Sequence, residues 1–220
     1  MMILKYRYVF LAFLLMGLYS SPVLAQESDV KDIQLRAEKG EVQAQVQLGL
    51  LYANGEKFEQ SFNDAQLWWK KAAEQGAADA QFFLGKLYAM GAGVEKDQLE
   101  AKKWWELSAA QDNVPSMFNL AMLYVNGEVV TGSYVEAGKY FEKAARLGNV
   151  QSQFNFGVLY AKGLGYPQSN ENGYAWIKLA ADKGHHNAVE FAQDLEGKMT
   201  AEQLLTATSM SDELKAVIPH

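Results

Sequence analysis

Residues 80–110, AQFFLGKLYAMGAGVEKDQLEAKKWWELSAA, decide the fold. They hold two helical patterns with a glycine stop between them, and the second pattern sets aromatic residues between small ones. Thirty-six residues earlier the same skeleton reads AQVQLGLLYANG and then AQLWWKKAAEQG. Thirty-six later it reads SMFNLAMLYVNG and AGKYFEKAARLG, and one further step gives SQFNFGVLYAKG and GYAWIKLAADKG. A fixed period of this length marks a repeat array, in which a unit buries its apolar face only against its neighbours.

Each column has a physical reading. Ala44, Ala80, Ser116, Ser152 and Ala188 are small; Leu48, Leu84, Leu120 and Phe156 are bulky; Gly49, Gly85, Ala121 and Gly157 are small again; Tyr52, Tyr88, Tyr124 and Tyr160 are aromatic. These spacings put all four positions on one helix face, where the small residues allow close approach of a second helix. Gly55, Gly91, Gly127 and Gly163 are predicted to end the first helices in the left-handed region. Ser61, Asp97, Ser133 and Ser169 sit where the second helices should start and can cap them, with Glu100 and Glu136 completing capping boxes for Asp97 and Ser133. The second helix carries Ala65, Ala101, Ala137 and Gly173, then the packing column Trp68, Trp104, Tyr140 and Trp176. Gly40, Gly76, Gly148 and Gly184 should close it, and Asp112 interrupts that column.

The skeleton A-x-x-x-L-G-x-x-Y-x-x-G followed by A-x-x-W-x-x-x-A-A-x-x-G resembles the Sel-one-like repeat, a relative of the tetratricopeptide repeat, over about Gly40 to Ala192. The resemblance implies an all-α, right-handed αα-solenoid of about four helix-turn-helix repeats, used for protein–protein interaction and not for catalysis. The repeats run 41–76, 77–112, 113–148 and 149–184, with capping helices at 28–40 and 187–215. Two features depart from the family pattern. The G-x-G loop survives only as Gly91-Ala92-Gly93 and Gly163-Leu164-Gly165, so the loops after Gly55 and Gly127 should differ. The chain also has no cysteine, whereas some secreted relatives staple each repeat with a disulfide.

Residues 1–25 read as a cleaved signal peptide. Lys5 and Arg7 precede an apolar run from Tyr8 to Leu18, and Val23-Leu24-Ala25 offers a small-residue cleavage site before Gln26. The mature chain, 26–220, is then a single solenoid domain in the periplasm or secreted. Loss of Lys5 and Arg7 moves the formal charge from −6 to −8. That charge argues against nucleic acid or an anionic membrane surface as partner, since both need a basic footprint. With no disulfide available, core burial alone must hold the fold, and 49% of the residues are apolar. The segment SDVKDIQLRAEK (28–39) forms the N-terminal cap, with Ser28 able to cap its own helix. At the other end Thr200 and Gln203 make a capping box for a last helix to about Lys215.

Little in the sequence carries chemistry. Ser28-Asp29-Val30-Lys31 is an S-x-x-K without the S-D-N and K-T-G partners such serine enzymes need. His185-His186 falls in a turn between repeats, and adjacent residues point to different sides of a helix. No catalytic residue, metal ligand or cofactor is assigned. The Trp68-Trp69 and Trp104-Trp105 doublets stay in register with Tyr140-Phe141 and Trp176-Ile177, so they read as packing residues. The first helices should line a concave groove formed by Gln47, Leu50 and Asn54; Phe83, Lys86 and Met90; Asn119, Met122 and Asn126; and Asn155, Val158 and Lys162. Amides there can satisfy the backbone of an extended protein or peptide partner while apolar positions take its side chains. Three function classes follow: an interaction scaffold, a periplasmic immunity protein that neutralises a toxin, and a cell-wall or β-lactam hydrolase. The scaffold is the preferred reading, and the hydrolase lacks a nucleophile–base pair.

Overall fold

A computed structural model describes residues 27–127 and 133–218, with side chains from Val30 onward. Eleven helices are present among the described residues. The cap α1 (Glu27–Glu38) precedes the pair α2 (Val42–Asn54) and α3 (Phe62–Glu74). Then come α4 (Ala78–Met90) with α5 (Gln98–Ala109), α6 (Val114–Asn126) with α7 (Tyr134–Arg146), and α8 (Val150–Lys162) with α9 (Asn170–Asp182). The chain closes with α10 (His186–Glu196) and α11 (Ala201–Val217). It forms two compact units, the first up to Asp97 with α1–α4 and the second from Gln98 with α5–α11. In the first unit each helix packs on the next; in the second the same holds from α5 to α10, and α9 also holds α11, the neighbour-on-neighbour arrangement of an αα-solenoid. The expected signal peptide at 1–25 and the Ser28 cap lie outside the described residues and side chains.

The turns follow the sequence closely. Gly55, Gly91, Gly127 and Gly163 take φ of 71°, 71°, 67° and 67° as the C-caps of the first helices. The second helices end in Schellman motifs. Gly76 N–H donates to Ala73 O (3.0 Å) and Ala77 N–H to Ala72 O (3.1 Å). Asp112 makes the same pair of bonds, with Asn113 supplying the second donor, at φ 60°. The interruption in the glycine column is therefore one of residue type and not of conformation, since aspartate tolerates the left-handed region better than most residues. Hydroxyls of Ser61, Ser133 and Ser169 accept from the N–H groups of Asp64, Glu136 and Asn172. The reciprocal half of the Ser133 box is lost, because the Glu136 carboxylate turns to Lys139 Nζ (2.6 Å). The box at Thr200 and Gln203 closes in both directions.

The core differs from the expectation by one column. Trp69, Trp105, Phe141 and Ile177 are the deeply buried members of the doublets, while Trp68, Trp104 and Tyr140 are only half-buried. Helix geometry explains the shift. The small column Gly49 and Gly157 receives the residue twenty positions on: a Cβ on Gly49 would strike the Trp69 indole, and one on Gly157 would strike Ile177. The glycine chosen for close approach thus selects Trp69 in the first repeat and receives Ile177 in the fourth, where Trp176 is buried as well. A further column escaped the sequence reading. Gln45, Gln81 and Gln153 are buried and donate to Ala37 O, Ala73 O and Ala145 O at 3.1, 3.2 and 3.1 Å. Each amide ties a first helix to a carbonyl in the last turn of the preceding helix, as a second donor beside the N–H of Gly40, Gly76 or Gly148. A buried polar residue at constant offset from a small one was the available signal.

Candidate binding surfaces of the first helices

In the first unit, Gln47 is exposed, Leu50 is half-buried, and Asn54 is exposed with its amide on Glu56 Oε1 (3.0 Å). Phe83 departs from the groove reading. It is 7% exposed and stacks on Trp69 with ring centroids 4.6 Å apart, so it serves the core and presents no surface to a partner. Lys86 is half-buried with Nζ 5.5 Å from the Phe82 ring, and desolvation lowers its pKa. Met90 is exposed at the helix end.

In the second unit, Asn119 on α6 and Asn155 on α8 are both half-buried, and neither side-chain amide is hydrogen-bonded among the described residues. Met122 lies against the cluster built on Phe141 and Phe156, and Asn126 is exposed. Val158 packs into the cluster around Ile177 and Ala188, and Lys162 Nζ lies 5.9 Å from the Phe191 ring on α10. Two of the predicted groove positions thus join α8 to the next first helix, assisted by Phe154 and Phe191 in edge contact at 6.1 Å. What stays available on this face is amide and thioether chemistry, suited to a peptide backbone with varied side chains.

His185 has structural work. His185 Nδ1 accepts the Ala188 N–H as the N-cap of α10, its Nε2 lies 3.0 Å from Gln151 Oε1, and its ring stacks on Phe154 at 4.8 Å. It occupies the column of Asn113 and Asn149, which cap α6 and α8 in the same way. His186 Nε2 sits 3.5 Å from Glu190, on the exposed surface. Among the described residues no group of three or more His, Cys, Asp or Glu is placed to hold a metal ion, and no helix is long and apolar enough to cross a membrane.

Comparison with known proteins agrees with this geometry. The Sel1 repeat model matches four times, at residues 42–76, 78–113, 114–149 and 150–185. A Sel1 repeat protein from Oxalobacter formigenes superposes with a TM-score of 0.71 at 31% identity, over 77% of this chain and 49% of that one. A protective antigen of uropathogenic Escherichia coli strains, displaying an SLR fold, gives 0.54 at 24% identity over 96% and 52%. An immunity protein from Pseudomonas aeruginosa gives 0.49 at 16% identity over 96% and 80%. The chain therefore spans about half the length of the first two relatives. A comparison with curated protein sequences found no match. With four consecutive matches covering most of the chain, each on a helix pair turned by the glycine columns described above, this protein belongs to the Sel1 repeat family.

Proposed function

We propose that the chain is a non-catalytic protein-binding module that acts after export and holds a segment of another protein against the first-helix faces of its repeats. The observation that carries the reading is the pair Asn119 and Asn155, half-buried amides at equivalent positions of successive repeats. Each can donate and accept together, as an extended backbone requires. Export rests on residues 1–25, whose charged start, apolar run and small-residue site match a secretory signal. N-terminal sequencing of the mature protein should return Gln26. Neutralisation of a toxin is a narrower form of the same activity, favoured by the acidic balance of −6, and a one-to-one complex with a single basic protein would identify it.

The test uses a partner captured from the native compartment and identified by mass spectrometry. Asn119→Ala with Asn155→Ala should leave the melting temperature within about 2 °C of the parent, as surface substitutions usually do. The same double variant should weaken partner binding by about 1–3 kcal/mol, the cost of stranding buried hydrogen-bonding groups. Unchanged affinity in the folded variant refutes the first-helix surface.

A further inference from the structure

In the second unit, α7, α8, α9 and α11 enclose a half-open pocket of about 360 Å³. Phe156 forms its floor, Tyr160, Trp176 and Met210 form its walls, and Glu142 and Glu213 are the acids that line it. Trp176 meets Phe156 edge-on at 5.3 Å, which leaves the indole firmly placed. Glu142 is engaged by Arg146 (2.8 Å), whose guanidinium also lies 5.6 Å from the Trp176 ring centroid. Glu213 is exposed on α11.

The same seam one repeat earlier shows which chemistry it accepts. There Glu106, Tyr124 and Tyr140 hold the positions of Glu142, Tyr160 and Trp176, and the two phenol rings stack at 6.0 Å. An ammonium lies on the acid of that niche: Lys102 Nζ is 2.6 Å from Glu106, and the Glu106 bond raises its pKa against the opposing effect of burial. One repeat on, the position of Lys102 is Gly138, where a Cβ would overlap the Tyr166 ring. The second niche keeps the acid and the aromatic walls, takes its internal cation from Arg146 and not from the Lys102 position, and adds a second acid, Glu213, from α11. A cation over aromatic faces beside a carboxylate gains from both the ring quadrupole and the ion pair.

We infer that the pocket between α7, α8, α9 and α11 receives an arginine or lysine side chain of a partner protein, paired with Glu213 and flanked by Trp176 and Tyr160. The acidic balance of the chain, −6, brings a basic partner surface to it. This site is separate from the first-helix face, and neither reading depends on the other.

The probe is an acetylated, amidated Gly-Arg-Arg-Gly peptide, with citrulline in place of arginine as the neutral isostere. Binding is read by NMR at the Trp176 indole N–H and the Met210 methyl group. The arginine peptide should give saturable shifts at both signals, and the citrulline peptide none. Glu213→Gln lies on an exposed helix position and should weaken the arginine peptide by roughly tenfold, as expected for loss of a charge-assisted contact. Glu213→Asp should restore part of the affinity. Equal shifts with citrulline, arginine binding unchanged in Glu213→Gln, or shifts confined to the signals of Asn119 and Asn155 would each overturn the assignment. So would concentration-dependent shifts without peptide, which mean that a second copy of the chain fills the pocket.

Discussion

Gly49→Ala tests the core arrangement most directly, because it adds one methyl group where α2 meets the Trp69 indole. The new Cβ would lie 2.5 Å from Trp69 Cδ1 and 2.9 Å from Cε2, well inside van der Waals contact. The ring has little freedom to retreat: it is 1% exposed, stacks on Phe83 at 4.6 Å, and donates from Nε1 to Val46 O at 3.2 Å. Tilting it costs about 1–3 kcal/mol in overpacking and weakens a hydrogen bond worth about 1 kcal/mol. Alanine returns about 1 kcal/mol of helix propensity over glycine. The net expectation is a loss of about 1–3 kcal/mol. In a Trp69→Ala background the obstacle is gone. That single variant loses about 3–5 kcal/mol by cavity formation, but adding Gly49→Ala to it should now stabilise by about 0.5–1 kcal/mol. The assay is urea unfolding of all four proteins by far-UV circular dichroism, fitted to the transition of the unit that contains α1–α4. A change of sign between backgrounds is the signature of direct contact. If Gly49→Ala has the same sign in both, the Gly49–Trp69 packing is not as described.

Two further outcomes are expected. Gly91→Val places a β-branched residue at φ 71°, with its Cβ 3.1 Å from Lys96 Cβ, and should lower stability by about 1–3 kcal/mol in the same unfolding experiment. Tyr174 is buried and donates to Glu196 Oε1 at 2.7 Å, and burial followed by Glu196 pushes its pKa up to about 12 from 10.0. The folded state keeps this proton where the unfolded state has begun to release it. The stability it contributes is therefore complete below pH 10.0 and falls as pH rises to about 12. Tyr174→Phe should flatten that decline in urea midpoints measured against pH.

The repeat period alone determined much of this molecule. It fixed the helix pairs, their boundaries to within a residue or two, the left-handed glycines and the serine caps, because backbone conformation at turns is a local property of residue type. It also located Asp112 as the exception, though only the backbone showed that the exception keeps its neighbours' geometry. Which indole of each doublet faces inward was decided by tertiary packing. Adjacent helical positions differ by about 100° of rotation, and the hollow over Gly49 selects Trp69 over Trp68. Phe83 moved from surface to core for the same kind of reason, since its partner is the Trp69 ring on the preceding helix. The glutamine column was visible as letters, yet its role depends on carbonyls eight residues upstream, brought near only by the inter-helix turn. The acid and aromatic walls of the pocket under α11 follow the period, but its enclosure could not be read from it, because the C-terminal helix that supplies Met210 and Glu213 lies outside the repeats.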